Sequence, residues 1–325
     1  MKFKNVYFLV LTIILVWSCK KDDDSVAEVV PPRLLSEVAV EDDAEILEFL
    51  STHTFNYEDF RSPTTDFDFK IKFDTITSEN SDQTSILNIN TENIPGMELI
   101  TETISVASSE FSRDDEEVID HKLYVLVARQ GTEEGKPTIG DNVNIRYEGS
   151  LLDGTLFDAS SEQPIRFNLS NVVRGFGNGV EYFQTGMGPI ENGDGTITYN
   201  GYGVGALFIP SGLAYFASAQ GSVISAYTPL IFKIDTFSYE PDTDFDGDGI
   251  PSILEDVNND GNLNNDNTDD ESEPFTIYLA NYNDTDDDAD GIPTIEEINL
   301  KEDGSFDSFK DTDGDGIYDH LDNDL

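Results

Sequence analysis

The sequence predicts an α+β fold built on an antiparallel β-sheet and continued by an irregular C-terminal region. Three observations carry this. Apolar residues alternate from Val143 through Tyr147 to Leu151, Asp153 and Gly154 supply a tight turn, and Phe157 and Asp158 stand on the returning strand, which is the pattern of a β-hairpin. A β-rich run, Leu123 to Val127, is closed by Gly131 and a loop to Pro137. Beyond Glu240 the chain repeats Asp-x-Asp-x-Asp-Gly, a loop pattern that belongs to neither helix nor strand.

Residues 1–18 read as an address. Lys2 and Lys4 precede the apolar run Val6 to Val16, and Ser18 stands before Cys19, the chain's only cysteine. The run is shorter than the roughly 20 residues a spanning helix needs. Leu15 to Cys19 resembles a bacterial lipobox, which implies a lipid on Cys19 and an outer membrane lipoprotein on the periplasmic or surface side; a plain secretory signal is the alternative. A single cysteine leaves no intrachain disulfide. Residues 19–35 suit a flexible tether, in which Lys20, Lys21 and Asp22 to Asp24 read equally as a surface-export signal or as a solvated linker.

Residues 36–120 form an N-terminal extension. Ile46, Phe49, Leu50 and His53 fall at helical spacing, with Asp42, Asp43 and Glu45 near the expected N-terminal end where the dipole favours acids. Phe67, Phe69, Ile71 and Phe73 alternate with polar residues as in a half-buried strand. The polar stretch that follows carries short apolar pieces at Ile86 to Ile89 and Leu99 to Val106, then the acidic run Asp114 to Glu117.

Residues 121–240 hold four blocks in order: the hairpin of Tyr147, Phe157 and Asp158; Val172, Val173, Arg174, Gly175 and Phe176; Ile209, Pro210, Leu213, Ala214 and Tyr215; and Ile224 through Phe232 to Ile234. Together they resemble FKBP-type peptidyl-prolyl isomerases. The resemblance implies an antiparallel sheet wrapped around a short helix, rotation of X-Pro bonds in proline-containing polypeptide clients, and a role in folding envelope or surface proteins. It also implies a pocket in which Tyr147, Phe157, Val172, Val173, Phe176 and Phe232 form apolar walls and floor. Asp158, Tyr215 and Tyr227 would supply polar groups, and Ile224 its backbone N–H. The family's floor residue is usually Trp, here Phe176, and Gly usually follows Ala-Tyr, where Phe216 stands. Between Met187 and Gly205 the turn around Gly193 to Gly195 and the alternation of Ile197 and Tyr199 suggest an inserted hairpin, a candidate lid or partner-binding lip. The alternative to an isomerase is a non-catalytic binding or adhesion module on a calcium-braced stalk.

The formal net charge is -48, and from Glu240 onward 29 acidic residues face 2 basic ones. Such an excess repels nucleic acid and anionic surfaces, so no nucleic-acid partner is expected. In residues 241–325 the acids are ordered. Asp244, Asp246 and Asp248 precede Gly249 and Glu255; Asp286, Asp288 and Asp290 precede Gly291 and Glu297. Oxygens at positions 1, 3, 5 and 12 with Gly at 6 are what a Ca²⁺ loop uses. Asp311, Asp313 and Asp315, with Asp319 and Asp322, make a further copy; Asp256, Asn258 and Asp260, with Asn264 at position 9, make a weaker one. These repeats resemble thrombospondin type-3 modules, and structural Ca²⁺ is the expected ligand. Catalysis would need no cofactor and no nucleophile, so Ser160 is expected to be dispensable.

Overall fold

The computed structural model describes residues 33–160, 163–269 and 278–323; the leader, Cys19 and the tether up to Pro32 lie outside them. The expected amphipathic helix is α1 (Leu35–Thr52), whose stripe of Leu35, Val38, Ile46, Phe49 and Leu50 is buried. Leu34 at its start has no capping side chain. Glu117, from the acidic run, reaches over instead and accepts from the N–H groups of Leu35 (3.0 Å) and Ser36 (3.4 Å), placing an anion where the helix has unpaired donors. Because the helix begins at Leu35, the acids at 42, 43 and 45 sit inside it and not at its N-terminal end. Asp42 is buried and accepts from the N–H (2.7 Å) and Oγ (2.6 Å) of Ser211, while Asp43 accepts from the Tyr124 hydroxyl at 2.6 Å. They tie the helix to the sheet.

β1 (His53–Phe55), α2 (Tyr57–Arg61) and β2 (Phe73–Thr75) follow, with β1 paired to β2. The strand expected over Phe67 to Phe73 is therefore corrected: of its apolar residues only Phe73 is in a ladder. Phe69 takes φ 55°, which breaks the extended chain, and its ring lies 3.8 Å from the Arg129 guanidinium. Burial of Ile71 and part-burial of Phe67 and Phe69 produced the alternation without strand pairing.

The main sheet collects β3 (Glu98–Ala107), β4 (Val118–Arg129), β5 (Asn142–Leu151), β6 (Leu156–Ala159) and β7 (Ile165–Asn168). After α3 (Arg174–Val180) and a separate hairpin, β8 (Met187–Glu191) and β9 (Ile197–Asn200), come β10 (Gly203–Ile209) and β11 (Leu230–Glu240). The order is β3-β4-β10-β11-β5-β6, with β7 also on β5, and every pairing is antiparallel. The Leu99 to Val106 piece is thus an edge strand of this sheet.

Both faces of the sheet are covered. Leu123, Val125 and Val127 of β4 pack with Val143, Ile145, Phe176, Val180 and Leu207 on the α3 side; Tyr124, Leu126 and Ala128 pack with Ile46, Phe49, Leu50, Phe55 and Phe208 on the other. Two covered faces are why β4 and β10 read as unbroken apolar runs. The N-terminal extension is the second layer of this core. Glycines bring α3 close: a Cβ at Gly175 would stand 2.4 Å from Ile209 Cγ2, and one at Gly179 2.7 Å from Leu207 Cδ2. That proximity seats Phe176 directly against the sheet.

The tail is mostly loops, with α4 (Thr294–Glu297) and a small ladder of β12 (Ile298–Leu300) on β13 (Phe306–Phe309). It packs onto the preceding domain: Leu263, Ala280 and Tyr282 cluster with Ile139, Asn264 Nδ2 donates to Ser170 O at 2.8 Å, and Arg174 Nη2 donates to Asp260 O at 2.9 Å.

Candidate active site and acidic loops

A cavity of about 670 Å³ opens between the sheet and α3. β5 contributes Tyr147, β6 Phe157 and Asp158, β11 Phe232, and α3 Phe176; Val172 and Val173 come from the approach to the helix, and Tyr215 from the turn after β10. Their rings meet edge to face, Phe176 on Phe232 at 5.1 Å and Phe157 on Phe232 at 5.5 Å, both at 82°, an arrangement that satisfies ring quadrupoles while leaving an apolar bowl. Gly149 makes room for it, since a Cβ there would lie 2.5 Å from the Phe157 ring.

Polar groups are few. The Tyr147 hydroxyl donates to Asp158 Oδ2 at 2.5 Å. Burial, then the bond to Asp158 and its charge, raise the Tyr147 phenol above its ordinary value, so it remains a donor. Ser160 braces this residue: its Oγ accepts from Tyr147 N–H at 2.9 Å.

Nine of the ten pocket residues implied by the sequence line the cavity, and Tyr227 does not. Tyr227 takes φ 60°, its ring packs on Phe216 at 5.1 Å, and its hydroxyl accepts from Arg33 N–H at 3.1 Å. Phe216, in the place of the usual glycine, has φ 44° and is buried against Phe111 at 4.6 Å, and this packing draws Tyr227 away. Ile224 does line the cavity, but its N–H donates to Gln220 O at 3.2 Å. The donor expected to meet a substrate carbonyl is engaged within the loop. Phe167, Asn171 and the 220–223 segment also line the cavity and were missed; for Phe167 the signal was present in the alternation of Ile165, Phe167 and Leu169. The β8–β9 hairpin forms as expected but packs Tyr199 on Phe237 at 4.8 Å, and none of its residues lines the cavity.

The sequence profile of FKBP-type peptidyl-prolyl cis-trans isomerases matches residues 133–189. The chain is 36% identical over 115 residues to the probable FKBP-type peptidyl-prolyl cis-trans isomerase FkpA of Neisseria meningitidis serogroup B, covering 34% of this chain and 36% of that protein. It is 31% identical over 116 residues to the peptidyl-prolyl cis-trans isomerase Mip of Coxiella burnetii, covering 35% and 42%. This chain carries an FKBP-type isomerase domain. A third relative, the outer membrane protein MIP of Legionella longbeachae, is 30% identical over 105 residues, covering 32% and 38%. The chain thus spans less than half the length of each of these relatives.

Outside the FKBP-type domain, the acidic loops close on themselves. In the first, Gly247 and Gly249 donate N–H to the two oxygens of Asp244 at 2.7 and 3.0 Å, and Ile250 donates to Asp248 at 2.8 Å. Gly249, Gly261, Gly291 and Gly316, at position 6 of the four copies, all have positive φ between 75° and 100°, the conformation that reserves this position for glycine. Carboxylate oxygens of Asp244, Asp246 and Asp248 lie within 4.8 Å of one another, as do those of Asp286, Asp288 and Asp290, and of Asp311, Asp313 and Asp315.

The partners at positions 9 and 12 vary. Glu255 is buried behind the first cluster with both oxygens lacking a donor, and Glu297, behind the second, has one such oxygen. Asp319 is not brought to its cluster: its oxygens accept from Thr312 N–H (2.7 Å) and Oγ (2.6 Å). Asp322 likewise lies outside the cluster of Asp311, Asp313 and Asp315. Asn264 is used for docking and not for its own loop, since it bonds Ser170 and accepts from the Tyr282 hydroxyl at 3.0 Å. Asp256 Oδ1 and Asn258 Oδ1 both accept from Asp260 N–H, and Asp266, which the sequence did not single out, adds a buried oxygen without a donor beside them. Burial, reinforced by neighbouring carboxylates, pushes Asp246 up to about 8 and Glu255 up to about 11. Buried oxygens that lack a proton donor and crowd one another fit a hard divalent cation.

Proposed function

We propose that the protein is a peptidyl-prolyl cis-trans isomerase that acts on proline-containing polypeptides of the cell envelope. One observation carries this: the aromatic bowl of Tyr147, Phe157, Phe176 and Phe232, with Asp158 holding the Tyr147 hydroxyl at its rim. Conjugation gives the peptide C–N bond a rotation barrier of roughly 18–20 kcal/mol. The twisted amide has lost part of its charge separation, so a dry apolar site disfavours the planar ground state more than the transition state. The chain's groups bind the proline ring, orient the flanking peptide and exclude water; no proton or electron pair is transferred.

The test is proline-limited refolding and peptide isomer exchange with the whole chain. Phe176→Ala should lower catalysis by at least tenfold while the sheet still folds. A folded wild-type chain that accelerates no X-Pro exchange but still captures proline peptides sinks the enzyme reading in favour of a binding module.

The leader pattern supports a lipid on Cys19 and attachment to the outer membrane, and the name of the Legionella longbeachae relative agrees with that compartment. No helix among the described residues is long and apolar enough to cross a membrane. Cys19→Ala should move the protein from the membrane to the soluble fraction; unchanged fractionation argues for another anchor. The acidic loops are read as structural Ca²⁺ sites that brace the tail in a calcium-rich exterior. Their converging, donorless oxygens support that reading.

A further inference from the structure

We infer that the cation of the 244–255 loop is shared with Asp287, so that one Ca²⁺ clamps the first acidic repeat to the third. This rests on the calcium reading of the loops and adds to it a ligand from a different repeat.

Asp287 stands at position 2 of the 286–297 loop. That position carries no ligand in a loop of this kind, and the other copies fill it with Phe245, Val257 and Thr312. Its side chain does not serve its own loop. A carboxylate oxygen of Asp287 lies within 4.8 Å of ligand oxygens of both Asp248 and Glu255. The three residues are 1%, 2% and 2% exposed. Both oxygens of Asp287, both of Glu255, and Oδ2 of Asp246 and of Asp248 are buried without any hydrogen-bond donor.

Six donorless oxygens from four residues therefore fall in two overlapping clusters that share Asp248, the Asp244–Asp246–Asp248 group and the Asp248–Glu255–Asp287 group, and 6–8 oxygens are what Ca²⁺ takes. Among the described residues no lysine or arginine forms an ion pair with these carboxylates, and His320, which lines the same cleft, is kept neutral by burial. Of the tail's two basic residues, Lys310 donates to Glu296 O at 2.6 Å, and Lys301 forms no ion pair among the described residues. Buried like charges without a counter-ion are strongly destabilising, so these carboxylates can all be ionised together only with a multivalent ion between them. Mg²⁺ holds several waters and a strict octahedron; a dry cage of carboxylates suits Ca²⁺ better. Holding the two repeats together through one ion would make binding and tail assembly a single event.

The experiment titrates CaCl₂ into the whole chain by calorimetry, comparing wild type with Asp287→Asn, Asp246→Asn and Asp290→Asn and with the double variants. Asp287→Asn should weaken one binding event at least tenfold. It should be the event that Asp246→Asn weakens, so combining these two adds little, whereas combining Asp287→Asn with Asp290→Asn weakens two events. A wild-type-like titration for Asp287→Asn, or loss of the same event as in Asp290→Asn, overturns the clamp while leaving the calcium reading intact. A wild type that takes up no calcium overturns both. Asp287→Ser repeats the test with a smaller side chain, and its protease resistance in calcium reports whether the repeats still assemble.

Discussion

Asp235 and Asp287 are both buried aspartates, and their surroundings are opposite. Asp235, on β11, pairs with Arg146 Nη2 at 2.6 Å and lies in the field of Arg129; burial still pushes it up to about 6. Asp287, in the tail, has no donor on either oxygen and is pushed up to about 9 by burial together with Asp248, Asp246, Asp284 and Asp288. Asp235 is thus neutralised by side chains of its own domain, whereas Asp287 has no counter-charge of that kind among the described residues. On the calcium reading proposed above, the second arrangement becomes complete only on binding.

The largest effect should come from removing calcium. At tenfold excess over the dissociation constant, each ion contributes about 1.4 kcal/mol, so three loops together contribute about 4 kcal/mol. Chelation should lower the melting temperature, open the tail to proteolysis and expand the chain, with Mg²⁺ failing to restore it. A tail equally resistant in chelator and in millimolar Ca²⁺ would erase the contrast between the two regions. The opposite signature belongs to Arg146→Ala. It strands Asp235 in the sheet and should cost about 3 kcal/mol, by the same amount with or without calcium. A calcium-dependent penalty would mean that the two regions are not separable in this way.

Much of the pocket was legible because its aromatics sit inside local patterns. Tyr147 and Phe157 flank one turn, and Phe176 is held by the glycines around it. What was not legible depends on loop conformation or on distance. The positive φ of Phe216 and Tyr227, which moves Tyr227 off the cavity, leaves no periodicity to read. The same is true of Phe69, where the alternation of a strand survives in a segment that is not one. Asp287 belongs to one loop in sequence and to another in space. The N-terminal layer was opaque because its apolar pieces are short, and only the second buried face of the sheet explains them.

Asp42 lies between the extremes of the comparison, buried with donors from Ser211 but without an ion pair, and pushed up to about 6, first by burial. Its unfolded value is about 3.9. Between these two values the folded chain keeps a proton that the unfolded chain has released, so this contribution to stability is present at lower pH and is lost as pH rises through about 6. Asp42→Asn keeps an acceptor for Ser211 and removes the charge. It should stabilise by roughly 1–2 kcal/mol at pH 7.5, because a tenfold change in proton affinity is worth about 1.4 kcal/mol and the anion's stronger hydrogen bonds offset part of the gain. Near pH 4 the two proteins should differ little. Denaturant unfolding at the two pH values decides it; an equal gain at both removes the titration argument.

The smallest effect tests the seam between the regions. The single Tyr282 hydroxyl proton is shared between Asn171 Oδ1 at 3.2 Å and Asn264 Oδ1 at 3.0 Å, so it joins a pocket-lining residue to the second acidic loop. Tyr282→Phe keeps the ring that packs with Ile139, Leu263 and Ala280 and removes only these bonds. Asn171 and Asn264 are both exposed, so water takes over the lost donor and the change should cost at most about 1 kcal/mol. If calcium binding orders the tail and the tail in turn steadies the wall at Asn171, the loss should appear mainly in calcium. Wild type and variant would then melt together in chelator and diverge by a few degrees when calcium is added, with catalysis on small peptides changing less than twofold. Equal divergence in both conditions would show that the tail docks on the isomerase domain without its ions, and that the two regions differ in how they neutralise charge but not in when they assemble.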